Sequence, residues 1–420
     1  MRPIEFGAAA LALTLAVPTA ALADSWMGEE VDVDGVTHVL NPADPILPPT
    51  EVPLTEMWRL GGYSDAPEEF FGVISDIVAD EQNQFYVLDA QLSEVRIFDQ
   101  AGMYLRTIGR EGEGPGEFRR PSDLNLMPDG SVGVIQAWPS KMVLLTPDGT
   151  PAGNFEITPR GEGFPGLSAA TTVGDNVAMV YSVSNPDREA GEFRRTTRLG
   201  IFDTSGAEVA DLVHSTSAMR FNDQRLVETD WNSFERAWSA SGEGTVAART
   251  AFTEYRVDVW NADGTPRHVI RREYGPHARD DAAIERIKAR WGAMIRRWVQ
   301  NPEYDIEPNW NPIESVHARE DGTIWVRTSR GTYDRPEGTL ATFDVFDAQG
   351  RFERRVSMQG EFDPVNDGLF LAGGYLLVVT DLMSARQAFM GGGPDEGYAE
   401  ADPMEIICYR MELAPLARAD

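Results

Sequence analysis

Between Ile77 and Gly109 the chain reads IVADEQNQFYVLDAQLSEVRIFDQAGMYLRTIG. Short apolar runs (IVA, QFYVLD, EVRIFD, YLRTIG) alternate with turn residues. Valine, isoleucine and aromatic side chains fill the runs, while Asp, Asn and Gly fill the gaps. The pattern predicts four short antiparallel strands in about 33 residues. A lone sheet of this kind cannot bury both of its faces, so copies of it are expected along the chain.

The copies are present in degenerate form. The second hairpin of each unit recurs as VRIFDQAG (95–102), VLLTPDG (143–149), LGIFDTSG (199–206), VDVWNADG (257–264) and FDVFDAQG (343–350). The first hairpin recurs as MPDGSVGVI (127–135), TVGDNVAMV (172–180), ASGEGTVAA (240–248), REDGTIWVR (319–327) and LAGGYLLVV (371–379). The last unit ends in MEIICYRM (404–411) without a partner strand, and a matching segment, LTEMWRLGG (54–62), precedes the first unit. Closure of a ring by an N-terminal outermost strand explains both, and it removes exposed sheet edges. The expected fold is all-β: a six-bladed β-propeller of four-stranded antiparallel blades over residues 54–413, with a tail at 414–420.

The loop following the first unit, REGEGPGEFRRPSD (110–123), carries three spaced glycines, with Phe118 placed as a plug between blades. With the preceding strands it gives the pattern D…N/S-x-V-x-I-F-D-x-x-G…G-x-x-G-x-G-P-G-x-F-x-x-P. This resembles the NHL-repeat propellers and the exported bacterial proteins described as six-bladed β-propellers. The resemblance is strong over residues 76–150 and fades to single hairpins through residue 411. It implies the fold and little about chemistry, because such propellers include protein-binding and RNA-binding modules and a few lyases or hydrolases.

Insertions fall unevenly. Turns between first and second strands and between third and fourth strands are tight. The long segments, at 110–120, 158–166, 184–195, 214–230, 275–312, 329–338 and 383–403, all belong to the opposite face. Loops on a rigid scaffold are where binding usually resides. The largest insertion, about 277–312, predicts a helix with Ile284, Ile287, Trp291, Met294, Ile295 and Trp298 on one stripe. That stripe reads either as a packing face or as a docking element, with Trp291 and Trp298 as the partner-binding candidates.

Composition narrows the partners. Sixty-seven acidic against 37 basic residues give a formal charge of -30, which argues against nucleic acid. The single cysteine, Cys408, excludes a disulfide framework and reads as a buried filler. Residues 1–23 read as an export signal, with Arg2, the apolar run FGAAALALTLAV and Ala21-Leu22-Ala23 before the cut; an uncleaved anchor is the alternative. A secreted or periplasmic protein with no later membrane-spanning segment is expected. Residues 24–53, acidic and then proline-rich, read as an extended strap pinned by Val36, Val39, Ile46 and Leu47.

No metalloprotease histidine spacing and no nucleophile elbow occurs. His277 is the histidine worth testing as a base. Arg110, Arg119, Arg120, Arg327 and Arg330, with Trp138, approach the long-loop face. They are expected either to hold an anionic ligand or to pair with Glu111, Glu113, Glu117 and Asp123. The favoured expectation is a non-enzymatic recognition scaffold without a cofactor, binding a protein, peptide or small molecule. The alternative is a calcium-type hydrolase or lactonase at the channel mouth, drawing on Asp89, Asn185 and Asp381.

Overall fold

The structure, a computed structural model, describes residues 26–187, 189, 191–220, 225–231, 234–295, 302–389 and 402–412. It opens with β1 (Glu29–Val33), β2 (Val36–Asn41), β3 (Thr50–Val52) and β4 (Leu54–Gly61). The first blade is β5 (Ile74–Ala79), β6 (Phe85–Asp89), β7 (Glu94–Phe98) and β8 (Tyr104–Ile108), paired in that order. The second is β9 (Pro121–Leu126), β10 (Val132–Gln136), β11 (Lys141–Leu145) and β12 (Pro151–Phe155). The third is β13 (Phe164–Val173), β14 (Asn176–Asp187), β15 (Glu192–Phe202) and β16 (Glu208–Arg220). After β17 (Arg225–Val227) and the one-turn helix α1 (Glu228–Trp231) comes the fourth blade, β18 (Trp238–Ser241), β19 (Thr245–Arg249), β20 (Arg256–Asn261) and β21 (Pro266–Arg272).

The large insertion follows, with helix α2 (Asp281–Ile295) and β22 (Glu303–Asp305), which pairs with β17 in parallel. The fifth blade is β23 (Ile313–Ala318), β24 (Ile324–Thr328), β25 (Thr339–Phe346) and β26 (Phe352–Gln359), with helix α3 (Ser329–Tyr333) between β24 and β25. The sixth is β27 (Gly368–Ala372), β28 (Tyr375–Val379) and β29 (Glu405–Met411), with helix α4 (Leu382–Phe389) before β29. Its fourth strand is β4: Ile406 faces Leu60 and Cys408 faces Trp58. The ring is therefore closed by the N-terminal strand, as the repeat pattern predicts.

Burial explains the strand sequences. The second strand of a blade sits between two neighbouring blades, so β6, β10, β19 and β28 are buried at every position. Six separate apolar clusters fill the six spaces between blades. Phe118 is fully buried in the cluster between blades one and two, where it acts as the expected plug. Gly109 makes room for it: φ is +74°, and a Cβ there would lie 2.5 Å from the Phe118 ring. Cys408 is buried between blades six and one, and burial pushes its thiol up to about 12.

The segment before β4 is more ordered than an extended strap. Asp34 and Gly35 have φ of 56° and 84° and close a hairpin between β1 and β2. Strand β2 then adds in parallel to β21, and β3 adds in parallel to β26. Between them the N–H groups of Ile46 and Leu47 donate to the carbonyls of Phe352 and Glu353 at 3.0 and 2.8 Å. The third blade also departs from expectation. Residues 184–195 read as a loop, yet β14 and β15 stay in register as far as Asp187 and Glu192. Cross-strand hydroxyl pairs such as Thr196 with Thr216, 3.0 Å apart, suit this solvated extension.

Candidate functional site

The long loops gather on one face, so each inner strand begins there. At that end of four inner strands one residue drops out of the ladder with the second strand. These bulged residues are Ser75, Ser122, Ser168 and Glu314. The hydroxyls of Ser75 and Ser122 bend back to their own second strands, reaching the carbonyls of Leu88 and Ile135 at 3.4 Å. An ionised glutamate has no proton to donate in this way. In the fifth blade the bulged residue is instead a glutamate, Glu314, at the start of its inner strand.

Burial pushes the Glu314 carboxyl above the usual range; Arg327 is the strongest of the cations opposing that rise. Arg327 comes from the neighbouring strand β24, where its backbone pairs with Ser315. Its Nε and Nη1 are buried and have no hydrogen-bond partner, and Glu314 is its strongest opposing charge. Burial lowers the guanidinium pKa of Arg327. The carboxylate and the cation thus feel each other without being bonded. Arg249 lies behind them, donating to the Ile313 carbonyl at 3.0 Å, and burial lowers it to about 10.

Helix α3 directly follows β24 and Arg327. Thr328 caps it, its hydroxyl accepting the Gly331 N–H at 3.0 Å. A Cβ on Gly331 would meet the Thr342 carbonyl at 2.5 Å, so the turn can pack against β25 only with glycine there. Tyr333 at the end of α3 stacks on Trp310 with ring centroids 3.9 Å apart. A polar chain holds the start of α3: Asp334 to His277 Nε2 at 3.0 Å, His277 Nδ1 to Ser329 Oγ at 2.9 Å, and Ser329 Oγ to the Tyr274 hydroxyl at 3.0 Å. Ser329 is fully buried, so this Ser–His–Asp chain is a brace rather than a nucleophile. His277 belongs to it and also lines a cavity of about 120 Å³ with Tyr274, Glu307 and Trp310. Beside α3 lies a cleft of about 470 Å³, lined by Thr332, Tyr333, Arg335, Phe362 and Pro364 among others.

The other arginines singled out in the sequence are occupied. Arg110 is bonded to Glu117 at 2.6 Å, and Arg119 to Glu113 at 2.9 Å. Arg120 lies over the Phe389 ring at 5.5 Å. Arg330 donates to the carbonyls of Gly275 and Pro276 at 2.9 and 2.7 Å. Trp138 is 71% exposed. Trp291 is buried with Leu226 and Ile287 in the core of the insertion, so it presents no open docking patch. Trp298 lies outside the described residues.

The calcium candidates come from three different blades. Asp89 is buried and accepts the N–H groups of Gly72, Val73, Gln91 and Leu92, which makes it a turn cap. Asp381 bonds Asn366, and Asn185 is exposed on the β14 extension. Among the described residues no group of three or more His, Cys, Asp or Glu side chains is arranged to hold a metal ion.

A second polar pair lies across the channel. Asp76 accepts the Leu124 N–H at 3.1 Å, and Asp123 accepts the Ala170 N–H at 2.8 Å. Each stitches its inner strand to the next blade. Burial pushes Asp76 up to about 6, and burial and then Asp76 push Asp123 well above the carboxylate range.

Comparison with known proteins places the fold. The family described as a 6-bladed beta-propeller matches residues 67–144, without singling out the NHL-repeat subtype. No curated protein matches. Similar solved structures include a protein from Bacteroides fragilis described as exported, at 11% identity and TM-score 0.43 over 89% of this chain and 100% of that one. A gluconolactonase from Xanthomonas campestris matches at 11% identity and TM-score 0.40 over 81% and 87% of the two chains. A streptogramin B lyase matches at 8% identity and TM-score 0.38 over 91% and 99%. At these distances the likeness shows the fold and assigns no activity. The expectation that favoured a non-enzymatic scaffold finds no support there: several of these similar structures are described as enzymes.

Proposed function

We propose that this chain is a hydrolase that opens a small ester or lactone at the long-loop mouth of the fifth blade. The observation that carries the reading is the unbonded pair of Glu314 and Arg327. A carboxylate raised above its usual range is a stronger base than a surface glutamate. A fixed guanidinium with unused N–H groups suits a developing oxyanion. Glu314 would take a proton from water while the water oxygen bonds to the acyl carbon. The carbonyl oxygen would gain charge facing Arg327. The acyl carbon–oxygen bond then breaks, and Glu314 returns the proton to the departing alkoxide. The new acid ionises and releases one proton to solvent.

That proton is the readout. A panel of simple esters and five- and six-membered lactones, followed by base uptake at constant pH, should reveal turnover by the wild type. Glu314→Gln should lower it by about 10²- to 10⁴-fold without changing the melting temperature appreciably. Unchanged turnover in that variant would remove Glu314 from the reaction. The start of the chain, basic and then apolar, supports an exported enzyme. Cell fractionation tests this, and recovery in the cytoplasm at full length would count against it.

A further inference from the structure

We infer that the substrate already carries a carboxylate, so that ring opening or ester cleavage yields a dianion. The inference rests on the hydrolase reading and adds a second cation to it. Arg335 lies beside the same aromatic ring as Arg327: their guanidinium carbons sit 5.2 and 6.0 Å from the Phe362 centroid. Phe362 and Arg335 both line the cleft next to α3.

Two N–H groups of Arg335 are given to main-chain carbonyls, those of Thr332 and Phe362. A guanidinium has five, so three are left. Asp363 and Asp367 are its strongest opposing charges, yet neither forms an ion pair with it among the described residues. Arg327 and Arg335 thus stand close to one ring with no carboxylate bonded to either among the described residues. They provide one cation for the carbonyl that reacts and one for a negative group that does not. Phe362, which lines the cleft, adds apolar surface beside them. Binding energy gained at the unreactive carboxylate would hold the acyl carbon near Glu314.

The test compares a γ-lactone bearing a ring carboxylate with the unsubstituted γ-lactone. The wild type should prefer the carboxylated ring by about tenfold or more in kcat/KM, the scale of one charge-assisted bidentate contact. Arg335→Gln should collapse the preference, and Arg335→Lys should restore part of it; thermal melts of both variants check that they fold. A wild type without the preference, or an Arg335→Gln variant that keeps it, overturns the inference while leaving the hydrolase reading intact. If no lactone is opened, the hydrolase reading fails, and calorimetry decides the inference separately. Glutarate should then bind wild type about tenfold more tightly than butyrate, and equally weakly in Arg335→Gln. Equal binding of the two acids by wild type contradicts the second cation site.

Discussion

At four inner strands one residue is squeezed out of the ladder; three are serines and the fourth is Glu314. The substitution is legible in the sequence once the strands are aligned on the bulge: Ser75-Asp76, Ser122-Asp123, Ser168-Ala169 and Glu314-Ser315 occupy equivalent places. Hydrophobic periodicity alone does not give this register, because a bulge breaks the period of two. Asp76 offers a prediction at the same scale. Its folded pKa, about 6, lies above the ordinary carboxylate value. It therefore contributes stability that is full below about pH 4 and is lost as pH rises through 6. His317, lowered to about 3 by burial, acts the opposite way: its contribution is full above pH 6.5 and is lost as pH falls below that. Melting temperatures from pH 4 to 7 should therefore fall less with rising pH in Asp76→Asn than in the wild type. Identical slopes would show that Asp76 titrates normally.

Among the elements, the propeller hairpins were the most legible and the insertion the least. Each hairpin carries its own turn residues and is buried between like neighbours, so local pattern and global packing agree. The helix at 281–295 was readable from its apolar stripe, and Asp280 caps it through a 2.7 Å bond from the Ala283 N–H. What the stripe covers was not readable. It packs on Leu226 and Trp310 to make a small core of its own, joined to the ring through the parallel pair β17–β22. A cavity at Trp291 should loosen that unit and leave the blades alone. Trp291→Ala is expected to cost about 3–5 kcal/mol locally. Hydrogen exchange should show lost protection in α2 and at 303–305, with the strands of the first and second blades unchanged. Loss spread evenly over all blades would contradict an independently packed insertion.

For the whole molecule, the ring makes the site possible. Glu314 and Arg327 hold their positions because six interblade cores fix the inner strands, and the ring depends on β4 joining β29. Thr55 faces Arg410 across that seam. A disulfide between cysteines at these positions closes almost the entire chain, so an oxidised T55C/R410C variant should gain up to about 5 kcal/mol over its reduced form. Failure to cross-link would contradict the closure. Function was less legible than fold because the repeats specify packing, while chemistry resides in departures from the repeat. Arg327 could be singled out by its place on the long-loop face, and the pairing of Arg110 with Glu117 and Arg119 with Glu113 was one of the two outcomes the sequence offered; that Arg330 would be occupied depended on carbonyls brought in by folding.

The most direct test of the account is the pH dependence of lactone opening in wild type and Arg327→Met. The base must be ionised, so the wild-type rate should rise with pH through a midpoint above the usual glutamate value. Removing the neighbouring cation should weaken the anionic form of Glu314, moving that midpoint to higher pH as the plateau rate falls. A midpoint in the ordinary carboxylate range that stays in place when Arg327 is replaced would contradict the pairing on which the proposed chemistry depends.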